Sequence, residues 1–434
     1  MSPNHAAHTR ILDAQVAFVR RPFLRPLHLS SGVIEEITEA QAEVRVAVDG
    51  QEATGRGVIY LSDLWAWPDA ALPHARRDAA LRRLCEQIAA GLPALCGGEA
   101  AHPLELGLRL HHNVGGIGLE TDPPMLARVL CASPFDAALH DATGQALGLS
   151  AFALYREPVA LPSADPYFVG SAACAAIART LRPVPVLTSD AWLVVGSTEA
   201  LEAEVAPWVR ERGYRAFKLK LLGRAVEEDA ARTVAVFRAV REFGAHAPRL
   251  CADPNGAYPD AASVQTYLET VRSQDADAFA ALEYLEQPTE RDITVHSDDW
   301  EPVTRLKPVL LDEGLTGFDV METARAQGWS GFALKTCKGH SFALTAAAWA
   351  QQNDLLVALQ DLTNPGIAAL HAALLAAYVP TINGVELNSP QFTPAANADV
   401  LPYLITLLEP RDGTHRLPVT APPGLGTKFP AEST

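Results

Sequence analysis

Lys218 and Lys220 stand two residues apart in the segment Tyr214–Leu221. Its alternation puts Ala216, Lys218 and Lys220 on one face of a strand and Phe217, Leu219 and Leu221 on the other. If the apolar face meets helices, both ammonium groups point into whatever the strand helps to enclose. Later apolar stretches end in Asp253, in Glu286 and in Asp312, the last followed at once by Glu313, and the next ends in Lys335. Successive members of the series lie about 23 to 33 residues apart, the length of one strand, one helix and their loops. Read singly, each has an ordinary explanation: the wet face of an edge strand for the lysines, helix caps or surface ion pairs for the acids. Those explanations do not account for acids on three consecutive strands with lysines on either side.

The chemistry follows from that convergence. Carboxylates gathered at one point stay ionised only with a cation among them. Oxygen donors with open positions suit Mg²⁺, with Mn²⁺ as a substitute. Such an ion can hold a substrate carboxylate and stabilise the enediolate left when the proton on the adjacent carbon departs. A lysine takes that proton once its pKa is lowered, which a neighbouring lysine and the metal together would do.

Positioning these groups requires a repeated frame. From about residue 186, short apolar strands are expected at 192–195, 214–221, 250–253, 282–286, 309–312, 331–335, 355–360 and 382–387, each gap having room for a helix. Eight such units imply a parallel sheet, and that number can close into a barrel with its active site at the C-terminal rim. Ahead of it, residues 1–150 read as an α+β domain. Val44, Val46 and Val48 share one strand face, Asp49-Gly50 marks a hairpin, and 57–61 pairs back. Helices are expected over 75–90 and 124–131, with Ser133-Pro134 as the cap and first residue of another running to about 147. Proline-rich segments, 158–166 and then Pro183 and Pro185, suit a linker. The barrel is expected over 151–390, and the tail, about 391–434, is expected to complete the first domain.

Lys218-Leu219-Lys220, Asp253-Pro254-Asn255, Glu286-Gln287-Pro288, Asp312-Glu313 and Leu334-Lys335 resemble, in order, spacing and strand position, the motifs of the enolase superfamily in its muconate lactonizing enzyme-like subgroup. Asp141-Ala142-Thr143-Gly144-Gln145 and Pro423-Gly424-Leu425-Gly426 extend the resemblance toward both ends. It implies a (β/α)7β TIM-like barrel with an N-terminal α+β capping domain. It also implies that Asp253, Glu286 and Asp312 bind Mg²⁺ and that Lys220 and Lys335 flank the substrate as acid/base catalysts. Lys218 would lower the pKa of Lys220 and contact the substrate carboxylate, and 21–32 would be a specificity loop from the cap. A mandelate racemase-type site would place a His on the seventh strand, paired with an Asp on the sixth. Here the sixth ends in Lys335 and the seventh reads Leu359-Gln360-Asp361, which favours the lysine–lysine subgroup. Glu386-Leu387-Asn388-Ser389-Pro390 resembles the cycloisomerases in part and lacks the Asp-x-Asp pair with which dipeptide epimerases hold an ammonium group. Asn255 and Glu313 would support the site. Asp361, Asn364 and Glu386 would line the pocket, or equally cap helices and hold loops.

The resemblance implies Mg-dependent removal of the proton alpha to a carboxylate, most simply by an isomerase: cycloisomerase, racemase or epimerase. A lyase expelling water through the same enediolate and a non-catalytic binding barrel are the alternatives. A net charge of −16 opposes nucleic acid and anionic membranes as partners and leaves a small-molecule carboxylate as the expected ligand. No apolar run reaches a membrane-spanning length of about 18 residues. The six cysteines show no zinc-type spacing and read as reduced thiols, and with no secretory pattern over 1–10 they suggest the cytoplasm. A homo-oligomer is expected from resemblance alone. His111-His112 are expected at the surface or packed in the cap rather than as a ligand pair, Trp65 and Trp67 to pack within the cap, and Cys251 and Cys337 in the core. Lys338 and His340 either reach the site or solvate a loop.

Overall fold

The computed structural model describes residues 7–29, 32–361, 363–364, 366–417 and 423–429. The chain opens with β1 (Thr9–Leu29), β2 (Gly32–Val48) and β3 (Gln51–Tyr60), an antiparallel sheet in the order β1-β2-β3. As an edge strand β1 tolerates Pro22 and Pro26, where its register with β2 shifts. The segment expected as a specificity loop, 21–32, is thus mostly the distal end of a β1–β2 hairpin, and Ser30 and Ser31 lie outside the described residues.

Val44, Val46 and Val48 pack into a core with Leu81, Leu84 and Ile88 of the helix His74–Leu95 and with Leu130, Phe135 and Leu139 of the helix Met125–Leu147. β3 lies directly on the second helix: a Cβ at Gly57 would sit 2.0 Å from the Pro134 carbonyl oxygen, and one at Gly55 2.2 Å from that of Ala138. The Gly-x-Gly spacing is what permits that approach. The helix boundary expected at Ser133-Pro134 is absent. Pro134 cannot donate to the Leu130 carbonyl, but Ser133 Oγ donates to it at 2.8 Å, and the helix continues through.

The proline-rich stretch is no linker. Leu161, Ala164 and Phe168 are buried, and the helix Ala173–Thr180 packs Ala176 and Ile177 into the barrel's outer core. After β4 (Thr188–Asp190) come β5 (Trp192–Val195), β6 (Ala216–Lys220), β7 (Arg249–Asp253), β8 (Leu282–Glu286), β9 (Val309–Leu311), β10 (Gly331–Lys335) and β11 (Leu356–Gln360). From β5 to β11 they form one curled parallel sheet of seven strands in sequential order, with helices outside. Trp192, Ala216, Cys251, Tyr284, Leu310, Ala333 and Ala358, one from each strand, fill its interior as a single layer. Two residues further along each strand, period two brings the next side chain to the same interior, and there the functional groups begin.

The eighth strand expected at 382–387 does not form. Asn383 uses its side-chain amide where a strand would use its backbone, accepting from Leu359 N and donating to Leu359 O, both at 3.0 Å. Gln391 does the same at the opposite edge, accepting from Val194 N at 3.1 Å and donating to Val194 O at 2.6 Å. One Gln360–Glu386 bridge remains. On the β11 side the main chain also bonds, Ile382 N to Val357 O at 2.8 Å, Glu386 N to Leu359 O at 3.0 Å and Asp361 N to Glu386 O at 3.1 Å, so the gap between β5 and β11 is closed by main-chain bonds along β11 and by the Gln391 amide along β5.

β12 (Thr414–Arg416) pairs with β4 beside the barrel, while Leu425 N reaches Asp141 Oδ1 at 2.8 Å in the first core's helix. No helix among the described residues is long and apolar enough to cross a membrane.

Candidate active site

Beyond the apolar layer, the seven strands present Val194, Lys218, Asp253, Glu286, Asp312, Lys335 and Gln360 to the interior, with Lys220 one step further on β6. All the acids expected at the rim therefore converge, and each is fully buried. The ionic groups form an alternating series. Lys220 Nζ lies 2.5 Å from Asp253. Lys218 Nζ lies 3.0 Å from Asp253 and 2.9 Å from Glu286. Lys335 Nζ lies 3.2 Å from Glu286 and contacts Asp312, whose other oxygen is 3.1 Å from Lys338 Nζ. Four ammonium groups thus interleave with three carboxylates, an arrangement that offsets the heavy cost of burying each charge.

Gln360 had no place in the expected site except as the absence of a histidine, yet it sits at the centre. Its Oε1 accepts from Lys218 at 3.2 Å and from Lys335, and its Nε2 donates to Glu286. Lys338 also belongs to the site rather than to a solvated loop. His340 does not: it is buried against His140, Phe152 and Tyr155. His111 packs across the cap–barrel boundary, bonded to Lys338 O and Thr316 O and stacked on Phe342 at 4.3 Å.

Asn255 follows the Asp253-Pro254 turn in a left-handed backbone conformation, φ 49°. Its Oδ1 accepts from Lys220 at 3.0 Å and its Nδ2 donates to Glu313 Oε1 at 2.8 Å. Trp65, expected as cap packing, donates Nε1 to the same Glu313 oxygen at 2.9 Å, and its ring lies 5.6 Å from Lys335 Nζ. Gln287 Oε1 accepts from Asp312 N at 3.0 Å and Gly314 N at 2.9 Å, fixing the turn after β9. Glu386 accepts from Asn388 Nδ2 at 2.6 Å and lies 3.5 Å from Lys218. Asp361 and Asn364 do not line the cavity: Asp361 Oδ1 accepts from Thr363 N, and Asn364 Oδ1 holds Tyr60 N at 2.9 Å.

Burial opposes charge on Lys218 and Lys335, but the surrounding carboxylates outweigh it, Glu286 foremost for Lys218 and Asp312 for Lys335. Both pKa values stand above the usual lysine value. The lowered lysine pKa expected for a base is therefore not the state of these two groups with the acids free to pair with them. Asp253 is held at about 2, where burial is overcome by Lys220 and Lys218, and Asp312 is held low in the same way by Lys335 and Lys338. Burial pushes Glu286 up against the pull of Lys218 and Lys335. Among the described residues, no group of three or more His, Cys, Asp or Glu side chains is arranged to hold a metal ion. Ammonium groups take the positive positions between the acids instead. The donor set itself, three carboxylates on adjacent strand ends, has the hard-oxygen chemistry a divalent ion requires.

The end of the β1–β2 hairpin roofs this site with Phe23, Leu27, Ile34 and Ile37, joined by Trp65 and Phe392. Arg25 holds the roof down, 3.4 Å from Glu199 and 5.1 Å above the Phe392 ring. The cavity beneath is about 50 Å³.

The sequence profile of the family described as Enolase C-terminal domain-like matches residues 200–433. No curated protein sequence matches the chain. Among solved structures, the muconate lactonizing enzyme from Pseudomonas fluorescens complexed with muconolactone has a TM-score of 0.63 and 20% identity, covering 98% of each chain. A dipeptide epimerase from Enterococcus faecalis, complexed with Mg and the dipeptide L-Leu-L-Tyr, has a TM-score of 0.65 and 17% identity, covering 96% of this chain and 99% of that one. An enolase from Bradyrhizobium complexed with magnesium and mandelic acid has a TM-score of 0.62 and 20% identity, covering 96% and 95%. At these identities the likeness carries the fold. The profile match, which spans more than half of the sequence, places this chain in the Enolase C-terminal domain-like family.

Proposed function

We propose that the protein is a divalent-metal-dependent isomerase that removes the proton alpha to a substrate carboxylate and delivers a proton back to the resulting enediolate. The observation that carries this reading is the order of groups across the sheet: Lys220 on β6, Asp253 on β7, Glu286 on β8, Asp312 after β9 and Lys335 on β10. A proton acceptor stands at each end of a row of acids, so removal and return from opposite sides are both provided for.

Asp253, Glu286 and Asp312 would hold the ion, Mg²⁺ with Mn²⁺ as a substitute. When bound, it supplies charge stabilisation to the substrate carboxylate and the enediolate. With the three acids engaged, the interactions that hold Lys335 high weaken, burial dominates, and its Nζ becomes able to accept a proton. Lys220 Nζ, positioned by the Asn255 amide oxygen, serves the opposite face. Lys218, between Asp253 and Glu286, orients the substrate carboxylate, and the apolar roof excludes water from the carbanion. The buried free thiols accord with a reducing compartment, and we assign the protein to the cytoplasm.

The test is α-proton exchange in D₂O, followed by NMR, over a panel of carboxylic acids with Mg²⁺. Lys220→Ala and Lys335→Ala should each slow exchange about 10²–10⁴-fold. Exchange unaffected by either change removes the assigned roles, and loss of water from the substrate would make the enzyme a lyase.

A further inference from the structure

Trp65 is a cap residue gripped by the barrel at two points. It lies in the short helix Asp63–Ala66 after β3, which is tied to the helix His74–Leu95 by Asp63, accepting from Arg77 Nε at 2.7 Å. Arg291, beyond the end of β8, donates Nη1 to the Trp65 main-chain carbonyl at 2.5 Å. The indole Nε1 donates to Glu313 Oε1 at 2.9 Å, and the side chain borders the reaction cavity with the residue only 4% exposed. The Arg291 bond and the burial already dock this corner of the cap. Docking therefore does not account for where the indole donor is aimed.

Its target is shared. Asn255 Nδ2 donates to the same Glu313 Oε1 at 2.8 Å, while Glu313 Oε2 has no hydrogen-bond partner among the described residues. Two donors on one oxygen and none on the other fix the rotation of the carboxylate. The Asn255 amide is fixed in turn, since a flip would set its oxygen against Glu313 and its NH₂ against Lys220 Nζ. As it stands, Oδ1 accepts from Lys220 Nζ at 3.0 Å. That contact differs in kind from the 2.5 Å pair of Lys220 with Asp253. A carboxylate favours the charged amine, whereas a neutral amide oxygen accepts an N–H from the amine in either protonation state. Asn255 can therefore aim Nζ both before and after it takes a proton. On the other side of the indole, Lys335 Nζ lies 5.6 Å from the ring centre, a contact that depends on the π-face and not on the N–H.

Resting on the proposed reaction, we propose that Trp65 is a positioning residue for Lys220: through Glu313 and Asn255, the indole N–H of the cap aims the amine that serves one face of the substrate, and that face alone. Without the indole donor, Oε1 is no longer held toward Asn255, and Arg291 Nη2, 3.8 Å from it, draws the carboxylate the other way. The Asn255 amide then loses its fixed partner, and Lys220 Nζ loses its aim. A misplacement of about 1 Å can cost on the order of 10²-fold in rate. Lys335 meets the ring rather than the N–H, so its face of the substrate is spared by any change that keeps a ring in place.

The experiment follows the initial loss of α-protium in D₂O with Mg²⁺ from each enantiomer of leucine, N-acetylleucine, 2-hydroxy-4-methylpentanoate and mandelate. The enantiomer that Lys335→Ala still exchanges is the one facing Lys220. For it, Trp65→Phe, which keeps a ring and loses the N–H, should lower kcat about tenfold or more with a smaller change in KM. Exchange of the mirror form, served by Lys335, should stay within about threefold. Asn255→Ala cuts the same chain of bonds nearer Lys220; it should show the same one-sided loss, and it guards against misfolding of the first variant. Equal slowing of both enantiomers, or a rise in KM with kcat intact, would reduce Trp65 to cap packing or substrate contact and overturn this inference while the proposed reaction stands. If the wild type exchanges none of these acids faster than the Lys220→Ala/Lys335→Ala double variant, the reaction and this inference fall together.

Discussion

Lys338 holds Asp312 twice, donating to its main-chain carbonyl and, at 3.1 Å, to its carboxylate. Both residues are about 1% exposed or less, and they tie the turn after β10 to the end of β9. Lys338→Met would leave the Asp312 carboxylate buried with only Lys335 beside it. Breaking such a pair costs about 3–5 kcal/mol, measurable by urea unfolding at pH 7. The sign with pH is set by Asp312: its folded pKa lies below the ordinary value, so its contribution is present above about pH 4 and is lost as pH falls. The gap between wild type and variant should therefore shrink in acid. A gap that widened there would contradict the pairing.

Metal binding should be visible without any turnover. If Asp253, Glu286 and Asp312 take a divalent ion, Mg²⁺ at about 100 times its Kd stabilises the folded chain by about 2.7 kcal/mol. Thermal melting with Mg²⁺ and with EDTA reads this directly. Glu286→Gln removes one charged donor and should abolish most of the shift. An identical Tm with and without Mg²⁺ at millimolar concentration would rule out a resident ion.

The acids and lysines of the rim were legible because a strand's period of two fixes which residues share a face, and because charge at strand ends stands out against apolar runs. Gln360 carries no such signature: an amide in an apolar strand reads as tolerated polarity until two ammonium groups are seen to converge on it. Trp65 read as core because indole burial dominates, whereas its single donor reaches Glu313 from a distant part of the chain. The eighth strand was expected over 382–387, where Val385 and Leu387 are indeed buried. No periodicity reveals that Asn383 and Gln391 would place side-chain amides where a ladder should run. The boundary expected at Ser133-Pro134 fails for a related reason, since a serine hydroxyl donates to the carbonyl that the proline leaves without a partner.

Asp361 gives a second pH effect, of opposite sign to that of Asp312. Burial first, and then the Glu386 charge, push its carboxyl up to about 8, and Oδ2 has no donor. The folded protein then holds a proton that the unfolded chain releases near pH 4, so stability falls as pH rises from about 4 to about 8. Asp361→Asn keeps the acceptor used by Thr363 N and removes the titration. The variant should match wild type near pH 4 and exceed it by at least about 1 kcal/mol at pH 8. Parallel stability curves would show that Asp361 ionises freely.

The cap–barrel boundary should come apart in acid for a separate reason. His140 of the helix Met125–Leu147 faces His340 at 5.0 Å between ring centres, and both are fully buried, with His102 and His371 buried as well. His140 Nδ1, both nitrogens of His340 and His371 Nε2 have no hydrogen-bond partner among the described residues, and His102 Nε2 has none but lies 3.7 Å from Glu157 Oε2. Asp136 is bonded into this group as well, lying 3.3 Å from His140 and accepting from Ser341 Oγ at 2.7 Å. Burial, with the neighbouring His140, lowers His102 and His371 to about 3 and holds His340 well below the ordinary histidine value. Below the unfolded value of 6.5 the unfolded chain takes up protons that the folded chain refuses, so stability declines from about pH 6.5 toward pH 3. Each histidine adds a slope of up to about 1.4 kcal/mol per pH unit. His371→Leu, which stays apolar within its helix, should reduce that slope by about one proton in melts run between pH 4 and 6. An unchanged slope would mean that His371 is already protonated in the fold.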